Sequence, residues 1–250
     1  MTQVMVTLPS AVQMVLLVAA AFGSAVLSGV AGFGGGVLMV PILVTALGPR
    51  NAVVVVTISQ LASNGGRAWF NRTEIDRRLV GVCCLGGVPG AVAGSLLVTA
   101  TPLDTHTRII GGFLLALVLW RRLHPAAVHV PDPVFVVMNG LSGLGSGLVG
   151  SFGPLITPFF LARGLVRGAY IGTDAAAQLM VHITKLIIFG AVALLTVSMG
   201  LVGLVLVPPS IAGAWLGKQI VDRMPVGVFV AVVEIALVAS GVFLLIRGRS

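Results

Sequence analysis

Long apolar runs, each closed by a small group of charged residues, set the pattern of this chain. At ~20 residues per crossing of a ~30 Å hydrocarbon layer, that punctuation predicts helices near 51–70, 79–99, 105–123, 169–191, 198–218 and 226–246. Two longer regions, 9–48 and 134–163, are equally apolar but are interrupted by glycine. GVAGFGGGVLMVP occupies residues 29–41 and GLVGSFGPLITP occupies 147–158, each with a proline a few residues past the glycines. The run from Leu186 to Gly217 has no charge and would extend ~48 Å as one helix, so it is divided near Thr196-Val197-Ser198.

Polar positions inside these runs are few and periodic. On 51–70, Thr57, Gln60, Asn64 and Arg67 recur every three or four residues and so share one helical face; on 169–191, Asp174, Gln178, His182 and Lys185 do the same. The offset of 118 that separates Gln60 from Gln178 also pairs Asn64 with His182 and Arg67 with Lys185. Polar side chains are costly within a bilayer, and a duplicated stripe of them lines a path. Interhelical hydrogen bonding remains open for Gln60 and Asn64. Arg67, close to a helix end, reads as a snorkelling side chain. Lys185 is flanked by apolar sequence on both sides and is the clearest intramembrane cation. Glu234, within VFVAVVEIALVASGVFLL, must take up a proton or find a cation, for which Lys185 is a candidate. Asp174 and Glu234 are therefore proton-coupling candidates, and His182 is either a proton relay or a satisfied hydrogen-bond partner.

These pieces form an internal repeat. Pro41 pairs with Pro158, Gly36 with Gly153, Arg50 with Arg167, GAVAG at 90–94 with GAWLG at 213–217, and Pro102-Leu103 with Pro225-Val226. The halves meet in the connecting segment HPAAVHVPDP at 124–133, giving a first repeat over 1–125 and a second over 126–250 of one membrane domain. Each half is a glycine-broken helix unit followed by three transmembrane helices.

Charge orients the halves. If each broken unit enters and returns to its own side, one face collects Arg67, Arg72, Arg77, Arg78, Arg121, Arg122, Arg163, Arg167, Lys218 and Arg223, while Arg50, Arg108, Arg247 and Arg249 lie opposite. That bias fits a cytoplasmic side richer in basic residues. If each unit crossed once, the split would be nearly even. The first arrangement also makes the repeats inverted, with the two breaks meeting near the midplane. At such a break, glycine lets backbone approach a ligand, and a helix starting after Gly36 or Gly153 presents N–H groups and a positive dipole end to an anion. Gly86, Gly90 and Gly94 instead have the four-residue spacing of a helix-packing face.

Composition agrees with this reading. The chain of 250 residues is 57% hydrophobic and 9% charged, with a mean hydropathy of +1.11, too apolar for a water-soluble surface. It is expected to be an all-α polytopic membrane protein in a lipid bilayer, and its first apolar run is expected to be retained, since no basic segment precedes it. The net charge of +8 belongs to membrane topology, not to nucleic acid. Cys83 and Cys84 read as packing residues. No HExxH, nucleophile elbow or metal-binding cluster is present in the sequence, so neither an enzyme, a cofactor nor a metal site is expected.

AGFGGGVLMVPIL, the second copy GSFGPLITPFF, the segment GTDAAAQLMVHITK and the duplicated GAxxG together resemble the TauE/SafE family of bacterial membrane permeases over essentially the whole chain. The resemblance implies export of sulfite, or uptake or export of organosulfonates and related sulfur oxyanions. Ser151 and Phe152 replace glycines in the second copy, which adds a hydroxyl and an aromatic wall to the site. The expected function is a multi-pass secondary transporter for a small sulfur-containing anion in the bacterial cytoplasmic membrane, and a homodimer is open. Its substrate residues are Gly34, Gly35, Gly36, Gln60, Asn64, Ser151, Phe152, Gly153, Gln178, His182 and Lys185, with access alternating as the halves rock. The rival is a carrier of cations or another small metabolite, using Asp174 and Glu234.

Overall fold

The computed structural model describes residues 9–32, 35–97, 130–225, 227–229, 231–232 and 235, and among them all regular structure is helical. The elements are α1 (Ala11–Ala31), α2 (Gly35–Leu47), α3 (Pro49–Phe70), α4 (Arg77–Leu97), α5 (Asp132–Val149), a 3₁₀ turn (Gly153–Leu155), α6 (Thr157–Ala162), α7 (Arg167–Ala191), α8 (Val197–Val205) and α9 (Val207–Arg223). The expected helices at 105–123 and 226–246, and the linker up to His129, fall wholly or mainly outside the described residues.

Local chemistry sets the boundaries. Ser10 and Gln13 form a reciprocal capping box that starts α1. Pro49 opens α3, where its missing N–H costs nothing. The uncharged run is interrupted where anticipated: α7 stops at Ala191, and Thr196 caps α8 through the Met199 amide. Among the described residues, four helices are long and apolar enough to cross a membrane: Ala11–Ala31, Arg77–Leu97, Arg167–Ala191 and the continuous Val197–Arg223. The surface is inside out relative to a soluble protein: Val197 is 81% and Leu85 69% exposed, while Lys185 is fully buried. The chain is an integral membrane protein.

Both glycine-broken units are hairpins. α2 runs back along α1, with Met39 beside Ser24, and Leu17, Ala21, Leu43 and Leu47 are buried in one cluster with Val53–Val56 of α3. α6 runs back along α5: Phe160 meets Phe135 at 5.3 Å between ring centroids, and Arg163 reaches Asp132 at 2.7 Å. The two hairpins enter from opposite ends of the bundle. At one end, Asp132 accepts from Arg78 and Arg163, Lys218 meets Glu74, and Arg167 donates to the Met224 carbonyl. Arg50 lies in the first turn of α3, a helix of 22 residues and ~33 Å, at the end away from that cluster.

Glycine joins the halves across their sequence boundary. A Cβ on Gly86, Gly90 or Gly94 of α4 would strike the carbonyls of Val136, Gly140 or Leu144 on α5. On the other flank, Gly213 and Gly217 of α9 lie against Phe22 and Gly29 of α1. GAVAG and GAWLG thus do the same work, each packing on the first helix of the other half. The halves are interlocked, not side by side.

The arrangement predicts that single cysteines at Arg72 and Arg50, in a background lacking Cys83 and Cys84, react with an impermeant thiol reagent from opposite sides of a sealed vesicle. Arg72 is the suitable position because the neighbouring Asn71 is buried. Labelling of both from one side would contradict the hairpin topology.

Candidate functional site

α3 and α7 pack against each other at the centre and carry the two polar stripes inward. Thr57, Gln60, Asn64 and Arg67 on α3, and Asp174, Gln178, His182 and Lys185 on α7, are all at most 5% exposed. The duplicated stripe is one buried seam. Its ends are set by Arg67 with Asp174, 3.9 Å apart, and by Lys185, eleven residues or ~16 Å further along α7.

The two breaks are built around this seam. α1 ends at Gly32, whose φ of +79° suits glycine, and α5 ends at Gly150 with φ +99°. In each, the capping N–H returns to a serine carbonyl, Ser28 or Ser146. A cation then closes each end: Arg67 donates to the carbonyls of Gly32 at 2.6 Å and Ser28 at 3.3 Å, and Lys185 donates to the Gly150 carbonyl at 2.7 Å and to Ser146 Oγ at 3.1 Å. Arg67 also donates to Asn64 Oδ1, while Asn64 donates to the Gln60 carbonyl. Ser28 and Ser146, Gly32 and Gly150, and Arg67 and Lys185 share the offset of 118. That offset sets Gly35 opposite Gly153, one residue from the expected match of Gly36 with Gly153.

The breaks meet at Gly36. A Cβ there would collide with Ser151 and with the Gln60 amide nitrogen, so α2, the second break and the α3 stripe converge on one point. Gly35 has a different environment: a Cβ would strike the Ser24 carbonyl, and its N–H is donated to Ser28 Oγ at 2.8 Å. One of the amides expected to face a ligand is therefore already bonded. Gly153 opens a 3₁₀ turn followed by the six-residue α6, so the second break lacks the long helix whose dipole the sequence predicts. Phe152 is packed beside Gly145 in the apolar core, and its carbonyl accepts from Ser142. Gly34 and Glu234 lie outside the described residues, so the pairing of Lys185 with Glu234 does too.

Arg67 is 3% exposed and seated on α1, which corrects its reading as a snorkelling side chain. A single-span view missed this because its partner carbonyls lie 35 and 39 residues upstream. Extending the 118 offset back to Ser28 and Ser146 was the available signal. Tyr170 was also missed: its ring fills the space beside Gly32 and its hydroxyl bonds Thr157 Oγ1 at 2.8 Å, joining the first break to the second hairpin. Asp174 Oδ1 and Oδ2 and His182 Nδ1 are buried without a hydrogen bond.

A helix bundle with an apolar exterior, two interior chain breaks and a buried polar seam is the construction of a membrane transport protein. The family model described as Sulfite exporter TauE/SafE matches residues 16–244, and the chain belongs to that family. No curated protein and no solved structure matches it.

Gly36→Ala is predicted to lower anion affinity about tenfold or more, because the methyl displaces Ser151 and Gln60. Ser151→Gly in the same chain removes the main obstacle and should restore part of that affinity. Equal loss in the single and double variants, measured by titration calorimetry, would disconnect Gly36 from Ser151.

Proposed function

We propose that the protein is a secondary transporter moving a small sulfur-containing anion, of the sulfite or organosulfonate class, across the bacterial cytoplasmic membrane by alternating access. In this reading, 1–125 and 126–250 are inverted repeats, and the basic end of the bundle faces the cytoplasm. The anion lies between the breaks, next to Gly36, Ser151, Gln60 and Gln178, with Asn64 and His182 alongside.

One observation carries the charge preference: Lys185 is fully buried, and its bonded partners are neutral oxygens of Ser146 and Gly150. A cation at a helix C-terminus gains up to ~2 kcal/mol in a favourable partly buried site, whereas burying an ion costs several kcal/mol. Arg67 has Asp174 nearby; no described carboxylate is paired with Lys185. An anion arriving in the seam would lie against the positive charge that these two cations bring there. A cation at Asp174 would compete with the Arg67 guanidinium that this carboxylate already faces, which counts against that half of the rival carrier's Asp174 and Glu234 pair.

Motion follows the glycine contacts. The bodies that move are the packed pairs α1 with α9 and α4 with α5, each drawn from both halves, turning about α3 and α7. Asp174 is the carboxyl through which proton and anion movement are coupled, with Glu234 as a further candidate.

Proteoliposomes test the proposal. Labelled sulfite and a small organosulfonate should enter, with no stimulation by sodium and weak competition by chloride. Asp174→Asn should keep anion exchange but lose its response to an imposed pH gradient. Sodium transport without an anion would overturn the anion reading, and an unchanged gradient response in Asp174→Asn would remove Asp174 from the coupling.

A further inference from the structure

The mirrored contacts of Arg67 and Lys185 on the ends of α1 and α5 have a functional meaning beyond the charge they supply. We infer that these two cations are positioning residues: each holds the carbonyl end of one interrupted helix and thereby sets where the two breaks meet. Their value to transport rests on the reading of the breaks as the anion site.

Three observations support the assignment. First, the contacts match in position: each cation donates to the carbonyl of a positive-φ glycine, Gly32 or Gly150, and makes a further contact with a serine one turn earlier, at the Ser28 carbonyl or the Ser146 hydroxyl. Such symmetry is required of parts that do the same job in both halves, whereas one bound anion need not touch two groups ~16 Å apart along the seam. Second, the carbonyls past the end of an interrupted membrane helix run out of intrahelical donors and have no bulk water beside them, and at Gly32 and Gly150 the donor comes from a neighbouring helix. A cation does this best, since the partial negative charge of the helix end attracts it as well. Third, each clamped end borders the meeting point. Gly35, at the start of α2, hangs from Ser28 by its N–H, and Ser151, directly after Gly150, touches the Gly36 position. A shift of either helix end therefore moves one wall of the site.

The halves differ in what surrounds the clamp. Arg67 is supported by Asn64 and faced by Asp174. The position matching Asp174 in the first half is Val56, against which Gly150 is packed, so Lys185 gains no carboxylate from that direction. The second clamp thus depends on fewer bonds than the first, and it is the one whose loss moves Ser151.

Hydrogen exchange of the detergent-solubilised full chain, read on peptides covering 28–36 and 146–153, tests this directly. Arg67→Met should raise exchange about tenfold in 28–36 and leave 146–153 near its original rate; Lys185→Met should do the reverse. Arg67→Lys and Lys185→Arg, which keep donors within reach, should return exchange toward the original rates. Sulfite affinity, measured by calorimetry on the same variants, should fall wherever exchange rises. Lost sulfite affinity with unchanged exchange would make Lys185 a direct ligand and overturn the assignment. A rise spread over every peptide, α4 and α9 included, would make the cations general supports of the fold and overturn it equally. The predicted exchange pattern in a protein that binds no sulfite at all would uphold the clamps and refute the anion reading.

Discussion

An interrupted helix in a bilayer leaves carbonyl oxygens without intrahelical donors, and the rest of this structure depends on how they are satisfied. Gly32 and Gly150 turn the chain, and Arg67 and Lys185 close the exposed ends. Because those cations come from α3 and α7, the two helices must be central, and their polar faces must turn inward. The apolar exterior, the buried seam and the central crossing follow from one requirement of backbone chemistry. A cation placed to satisfy a carbonyl still contributes its charge to the space beside it.

Glycine serves two different ends here. At Gly36 it leaves room for Ser151 and Gln60 at the junction of the breaks. At Gly90 and Gly217 it permits helix backbones to touch, joining α4 to α5 and α1 to α9. Without a hydrophobic drive between helices in lipid, such close contact supplies much of the association energy. The cross-packing ties the two halves of the sequence together along both flanks. Each interrupted hairpin is held by a helix from the other half of the sequence.

Much of this was legible in the sequence because the signals were periodic. Apolar runs bounded by charged residues located the described helices near 51–70, 79–99, 169–191 and 198–218, and the three- to four-residue spacing from Thr57 to Arg67 and from Asp174 to Lys185 gave the inward face. The division at Thr196 followed from length alone. What failed did so for reasons of distance or local geometry. Arg67 near a helix end was indistinguishable from a snorkelling residue until its carbonyl partners on α1 came into contact. The short second helix at Thr157–Ala162 was hidden because GPLITP permits a 3₁₀ turn as readily as a long helix start. Phe152 looked like a wall of the site, yet Gly145 opposite it left a place for the ring in the core.

The central claim is that the junction of the two breaks binds a small anion, and ligand-linked stability tests it most directly. Purified protein should melt at a higher temperature with sulfite or a small organosulfonate than with chloride, corresponding to about 2.7 kcal/mol at a hundredfold excess over Kd, whatever cation accompanies it. Stabilisation by sodium that is independent of the anion, with no added effect of sulfite or organosulfonate, would contradict the account.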